Sequence, residues 1–204
     1  PHALLTFTGL AIGRTGVNLG GISFSETIDS GSTDLDLSKL NFSFTARELL
    51  GSALNLEEAI DFFRVPTHYP QRAHYFVLAD GRNYQRGAVL RVTPSGLQSV
   101  QYNQASLFSN ITTPRNSGVT VAAQNAANLN TYVGVINPLV QPLDRTDAYT
   151  IATSAPPADN TRNTLNVVYN TEDFLLEILF SYASQNTPAR QRPSVSFDLQ
   201  QLLP

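Results

Sequence analysis

The clearest alternation in the chain is Leu40–Thr45 (LNFSFT), with Leu40, Phe42 and Phe44 on one side and Asn41, Ser43 and Thr45 on the other. A period of two predicts a half-buried strand there. Ala3–Ala11 (ALLTFTGLA) reads as another strand, and Gly13, Gly16, Gly20 and Gly21 interrupt the pattern before Ile22–Ser25. Ala73–Ala79, Gly87–Thr93 and Leu97–Tyr102 are three further strands, joined at Asp80-Gly81 and Pro94-Ser95-Gly96. Asp-Gly is the strongest short hairpin signal, so these three form a meander. Thr131–Ile136, Ala148–Thr153, Thr164–Tyr169 and Ser194–Leu199 complete the strand set.

Helical spacing is rarer. Ala46–Ala53 fits a short helix, and Asn55 with Glu58 forms a capping-box-like pair ahead of Leu56, Ala59, Ile60 and Phe63. Pro66 closes that helical stretch, 46–64. A second helix is predicted over 171–184, where Thr171 caps and Glu172 and Asp173 suit the first turn. Its residues are apolar nearly all round, and Phe174, Leu176, Ile178, Phe180 and Tyr182 also alternate as a strand would. Val121–Leu129 is a third, short helical candidate. The class that follows is mainly β: an antiparallel sandwich or barrel-like core with two or three helices. The pattern predicts one domain over 1–186 and an extended, proline-punctuated C-terminal arm over 187–204.

Composition sharpens this. The 204 residues are 42% hydrophobic, enough for a core, but only 14% charged, with a net charge of −3. An average domain is about 25% charged. Ser, Thr, Asn and Gln supply 63 residues, and Lys39 is the only lysine. Between Pro94 and Leu143 Arg115 is the sole charge. There is no basic surface for phosphates, so nucleic-acid binding is not expected. No apolar run is long enough to span a membrane as a helix. Cys, Met and Trp are absent, which removes disulfides, thiolate nucleophiles and zinc–thiolate sites. With no Met, Pro1 follows either removal of an initiator or cleavage of a longer precursor.

Chemistry-bearing residues give no catalytic motif. His68 and His74 flank a Tyr69-Pro70 turn without the spacing of a metal site. Asp34 and Asp36 share one face of a strand, Glu57 and Glu58 fit a helix first turn, and Asp144 and Asp147 flank Arg145. Any protein with 16 acids offers such pairs. No GxSxG elbow and no phosphate-binding glycine loop is present. Pro1-His2 ahead of a strand resembles the start of the tautomerase superfamily, whose N-terminal proline is a base. Gly-rich turns and more strands follow where that family places a long helix. Asn41 and Asn110 head formal glycosylation sequons, and Tyr69, Tyr75, Tyr84 and Tyr102 cluster along the meander.

No catalytic, cofactor-binding or metal-ligating residue is therefore assigned from sequence. The low charge, missing sulfur, apolar segment 171–184 and extended tail together predict a non-enzymatic structural subunit. Its partners would be copies of itself in a virion, such as a bacteriophage capsid, decoration or tail protein, where buried faces are depleted of charge. The alternative expectation is a secreted, extracellular carbohydrate-binding or adhesin module.

Overall fold

The computed structural model describes residues 1–6, 13–82, 86–102, 126–139, 144–154, 165–170, 175–180 and 188–203. Six strands form an open antiparallel meander in the order β1-β2-β3-β4-β5-β6: His2–Thr6, Gly13–Asn18, Ile22–Ile28, His74–Asp80, Arg86–Thr93 and Gly96–Tyr102. Register is fixed by the apolar alternation: Phe24 sits opposite Leu78, Phe76 opposite Leu90, and Ile28 opposite His74. A one-residue slip would turn all of these to the other face. Gly21, at φ +89°, makes the β2–β3 turn, a left-handed conformation that glycine adopts without steric cost.

One face of this sheet carries the main core. Ile22, Phe24, Phe76, Leu78, Ala88, Leu90 and Val92 pack against α1 (Phe42–Ser52) and α2 (Leu56–Phe62) through Ala46, Leu49, Leu50, Ala53, Ala59 and Ile60. Two polar side chains lock the helices down. Asn18 is 3% exposed, and its Nδ2 donates to Leu50 O (3.0 Å) and Ala53 O (2.7 Å) at the end of α1. Its Oδ1 accepts from Ile22 N at 3.0 Å. Asp80, 2% exposed, accepts from Leu56 N at the start of α2 (3.2 Å). Gly16 lets β2 and α1 approach: a Cβ there would lie 2.6 Å from both Ala3 O and Leu50 Cδ1.

The opposite face is covered by a second sheet, β7 (Leu165–Asn170), β8 (Leu175–Phe180) and β9 (Val195–Asp198). The short helix α5 (Leu199–Leu202) joins it, with Val17 and Leu199 buried among Ala3, Leu5, Leu19, Val167 and Tyr169. Two further helices, α3 (Ala126–Ile136) and α4 (Arg145–Thr153), lie on this side, α4 against β7. No described helix is long and apolar enough to cross a membrane.

The mainly β class holds, with the meander at its predicted turns. Five described helices replace the two or three expected. Leu40–Thr45 is not a strand but the entry to α1, where Asn41 O accepts from Phe44 N (3.0 Å) and Thr45 N (3.4 Å). Thr45, Ala46, Leu49, Leu50 and Ala53 are the buried set, a helical period that a six-residue window hides. Phe44 is left 49% exposed. Helix 46–64 is two helices, broken at Ala53–Asn55, and Asn55 caps the second by accepting from Glu58 N (2.9 Å). Thr131–Ile136 and Ala148–Thr153 are helical, the latter started by a reciprocal Asp144–Asp147 capping box.

Residues 175–180 are strand β8, not part of a helix; 171–174 and 181–187 lie outside the described residues. An apolar run fits a strand paired on both edges as well as a buried helix. Pairing with β7 from Leu165↔Phe180 to Asn170↔Leu175, and with β9 from Leu175↔Asp198 to Ile178↔Val195, decides between them. Of the predicted helix Val121–Leu129, residues 126–129 open α3, whereas 121–125 lie outside the described residues, as do 103–120 and 140–143 of the neutral stretch.

Asn18→Ala should cost about 2–3 kcal/mol, because it strands three backbone groups at buried positions. Gly16→Ala should cost about 1–3 kcal/mol by overpacking. Urea unfolding of each variant measures this, and an unchanged midpoint for either would contradict the clamp described here.

Candidate functional site

The interface between the two sheets does not close everywhere. A cavity of about 330 Å³ opens over the outer face of β3 and β4, lined by Ser23, Ser25, Val77 and Ala79 from below. Tyr132 of α3, Ala152 of α4 and Val167 and Tyr169 of β7 line it from above, and Thr15 of β2 from the side. The local sequence explains its polarity. In β3 the residues that alternate away from the Ile22–Phe24 core are Ser23, Ser25 and Thr27, so the strand turns small hydroxylated side chains outward.

Five hydroxyls thus line one small space. Thr15 Oγ1 donates to Phe24 O at 2.7 Å, and Tyr169 is hydrogen-bonded to Thr15. Burial pushes the Tyr169 phenol far above the ordinary tyrosine value, with the Thr15 hydrogen bond acting the other way. Burial alone raises Tyr132. Both phenols therefore remain neutral hydrogen-bond donors across the physiological range. Arg14 and Glu26 complete the lining, 3.6 Å apart.

The same two charged residues also line a second cavity of about 360 Å³ on the helix-covered side, with Ile28, Leu35, Leu37, Asn41, Phe42, Gln71, Arg72 and His74. There the Glu26 carboxylate, its side chain 2% exposed, lies 2.9 Å from His74 Nδ1. Phe42 lies against the His74 ring, centroids 4.7 Å apart.

Most candidates read from sequence have local duties. His68 stacks on Phe62 (3.8 Å between centroids) and its Nδ1 meets Phe62 O at 2.7 Å, away from the His74–Glu26 pair. Among the described residues, no three His, Asp or Glu side chains gather as metal ligands. Glu58 caps α2, and Glu57 pairs with Arg86 at 2.7 Å. Asp144 and Asp147 form the α4 capping box. Asp36 accepts from Ser38 N and Oγ, which lowers its pKa, and the side chain is exposed. Tyr69 donates to Arg64 O at 3.3 Å, whereas Tyr84 and Asn110 lie outside the described residues. Sequence reasoning missed Glu26, yet a signal existed: a lone acid at the inward position of Ile22-Phe24-Glu26-Ile28 must have a partner inside.

The fold is that of a known enzyme. No protein-family description matches the sequence, and no curated protein does. Solved structures do match: a mutant of conjugated bile acid hydrolase from Clostridium perfringens superimposes with a TM-score of 0.62 at 9% identity. The match covers 97% of this chain and 76% of that one. A second variant of the same hydrolase gives 0.61 at 10% identity, with the same coverage.

This overturns the expectation of a non-enzymatic virion subunit, and with it the alternative of a carbohydrate-binding or adhesin module. The chain shares its fold, nearly end to end, with a hydrolase. Two of the features that suggested assembly are used inside the molecule. The apolar run at 175–180 is the middle strand of a sheet, residues 195–198 pair with it, and Leu199 of α5 is buried against Val17.

The raised Tyr169 pKa has a stability consequence. The folded state favours the neutral phenol, so its contribution is full below about pH 10, the ordinary tyrosine value, and is lost as the unfolded chain ionises above that. Urea midpoints at about pH 8 and about pH 11 should converge in Tyr169→Phe relative to the parent chain. An equal alkaline loss in both would contradict the burial of this phenol.

Proposed function

We propose that the chain is a hydrolase that cleaves the carbon–nitrogen bond of an amide held in the cavity between the two sheets. The observation that carries this reading is the coincidence of a hydrolase fold over 97% of the chain with a hydroxyl-lined cavity between its layers. The space, about 330 Å³, is at the lower end of the range of small-molecule sites.

The chemistry asked of the cavity follows from amide hydrolysis. A nucleophile adds to the carbonyl carbon, negative charge builds on its oxygen, and the C–N bond breaks as the leaving amine takes a proton. Hydroxyl donors fixed around that oxygen lower the barrier because they need no reorganisation as the charge develops. Ser23, half-buried, and the neutral Tyr132 phenol are the donors suited to this, while Ser25 is the more open hydroxyl. With no cysteine among the 204 residues, attack within this chain falls to a serine or threonine hydroxyl or to water. Val77, Ala79 and Val167 give the cavity an apolar wall for the carbon skeleton of the substrate.

Incubation with a conjugated bile acid and with simple N-acyl amino acids, followed by assay of the released amine, tests the reading. Turnover is expected on at least one, with Ser23→Ala lowering kcat/KM by about 10²-fold while circular dichroism stays unchanged. A folded chain that releases no amine from any amide of this set would sink the proposal.

A further inference from the structure

The floor of the interlayer cavity is sorted by polarity from one strand to the next. β3 supplies Ser23 and Ser25, and β4 sets Ala79 and Val77 directly opposite them. Paired strands lie about 4.8 Å apart, so hydroxyls and methyl groups form two adjacent strips. Arg14 and Thr15 of β2 continue the polar side. Ala152 of α4 and Val167 of β7 add apolar lining from the covering layer. A substrate with a polar reacting group and a hydrocarbon part therefore has one favoured orientation. The amide lies over β3 and the hydrocarbon over β4.

The apolar strip is short, and packed side chains end it. Across the sheet, Val89 of β5 pairs with Val77 and is 1% exposed. Among the described residues none of β5 lines the cavity. Back along β4, the next side chain on this face is Tyr75, also buried. Tyr75 is hydrogen-bonded to Arg91, whose Nε donates to the buried Asp29 at 2.8 Å, so the ring is held in place. In the other direction β4 ends at Asp80. Two residues of strand span only about 7 Å. The cavity volume sets the same limit. At about 30 Å³ for each water-sized group, 330 Å³ takes roughly eleven non-hydrogen atoms, about a third of a conjugated bile acid.

We infer that this site is selective for amides of short acyl groups, about four to six carbons long, over a conjugated bile acid. The inference rests on the hydrolase reading of the same cavity and names its substrate class. Val77 and Ala79 set the acyl length. Methylenes are buried until the strip is filled, and further ones meet Tyr75 and Val89 or stay in water.

A series of acylglycines tests the limit, with acetyl, butyryl, hexanoyl, dodecanoyl and cholyl groups and assay of the released glycine. kcat/KM is expected to peak at butyryl or hexanoyl. It should be at least about tenfold lower for the dodecanoyl and cholyl forms, the scale of discrimination that a misfit produces in an apolar pocket. Ala79 is exposed, so Ala79→Leu should fold while filling the strip, and the hexanoyl-to-acetyl ratio of kcat/KM should fall at least about tenfold. Calorimetry with hexanoate and cholate separates the size limit from the reaction. Hexanoate bound in preference to cholate, with no glycine released from any member, would leave the short-chain slot and remove the hydrolase. Cholylglycine or dodecanoylglycine cleaved as fast as hexanoylglycine, a ratio unmoved by Ala79→Leu, no binding of hexanoate, or cholate bound as tightly as hexanoate would each overturn the size limit.

Discussion

The Asn18 side chain is the point on which the rest of the structure hangs. It holds the end of α1 through the carbonyls of Leu50 and Ala53, and the start of β3 through Ile22 N. A helix end leaves its last carbonyls without intrahelical partners, and burial makes that expensive unless a donor arrives. One buried amide meets this need on the helix and shapes the β2–β3 turn at once. Gly16, two residues back, makes the contact geometrically possible by leaving room for Leu50. With α1 seated, the Ile22–Phe24 face is sealed, and β3 must turn Ser23 and Ser25 the other way.

That division of β3 into two faces organises both cavities. The outward face presents hydroxyls to the layer formed by α3, α4 and β7. The inward face is apolar until Glu26, where the helices no longer cover the sheet completely. Arg14 and Glu26 line both spaces, one strand apart at 3.6 Å. A carboxylate taken this far out of water is tolerable only because a cation and an imidazole N–H meet its two oxygens.

Low charge does not by itself lead to a virion subunit, for a physical reason. A chain can bury a large neutral surface against itself when two sheets stack, because each contributes an inner face and the helices cover an outer one. Val17, Leu199 and Val167 from distant parts of the chain form one such contact. Composition records how much surface prefers burial. It is silent on whether the covering surface belongs to the same molecule or to a neighbour.

Local pattern sufficed where the determinant is local. The meander from His74 to Tyr102, the capped α2 and the turn before β3 all follow from alternation, Asp-Gly and Pro-Ser-Gly turns, and an Asn–Glu cap. Leu40–Thr45, Thr131–Ile136 and Ala148–Thr153 were misread because β-branched and aromatic residues favour strands only when a neighbouring strand exists to pair with. Segment 175–180 was misread the other way, since its partners lie in β7 and in the tail. The candidate sites were less legible still. His74 stands out in the sequence, but Glu26 is 48 residues away, and Thr15, Ser23, Tyr132 and Tyr169 meet only across the layer interface. The sequence determined the class, the turns and the absence of thiol chemistry, which depend on neighbours along the chain. Only tertiary structure decided which faces are covered and which side chains converge, because burial and proximity are properties of the packed layers.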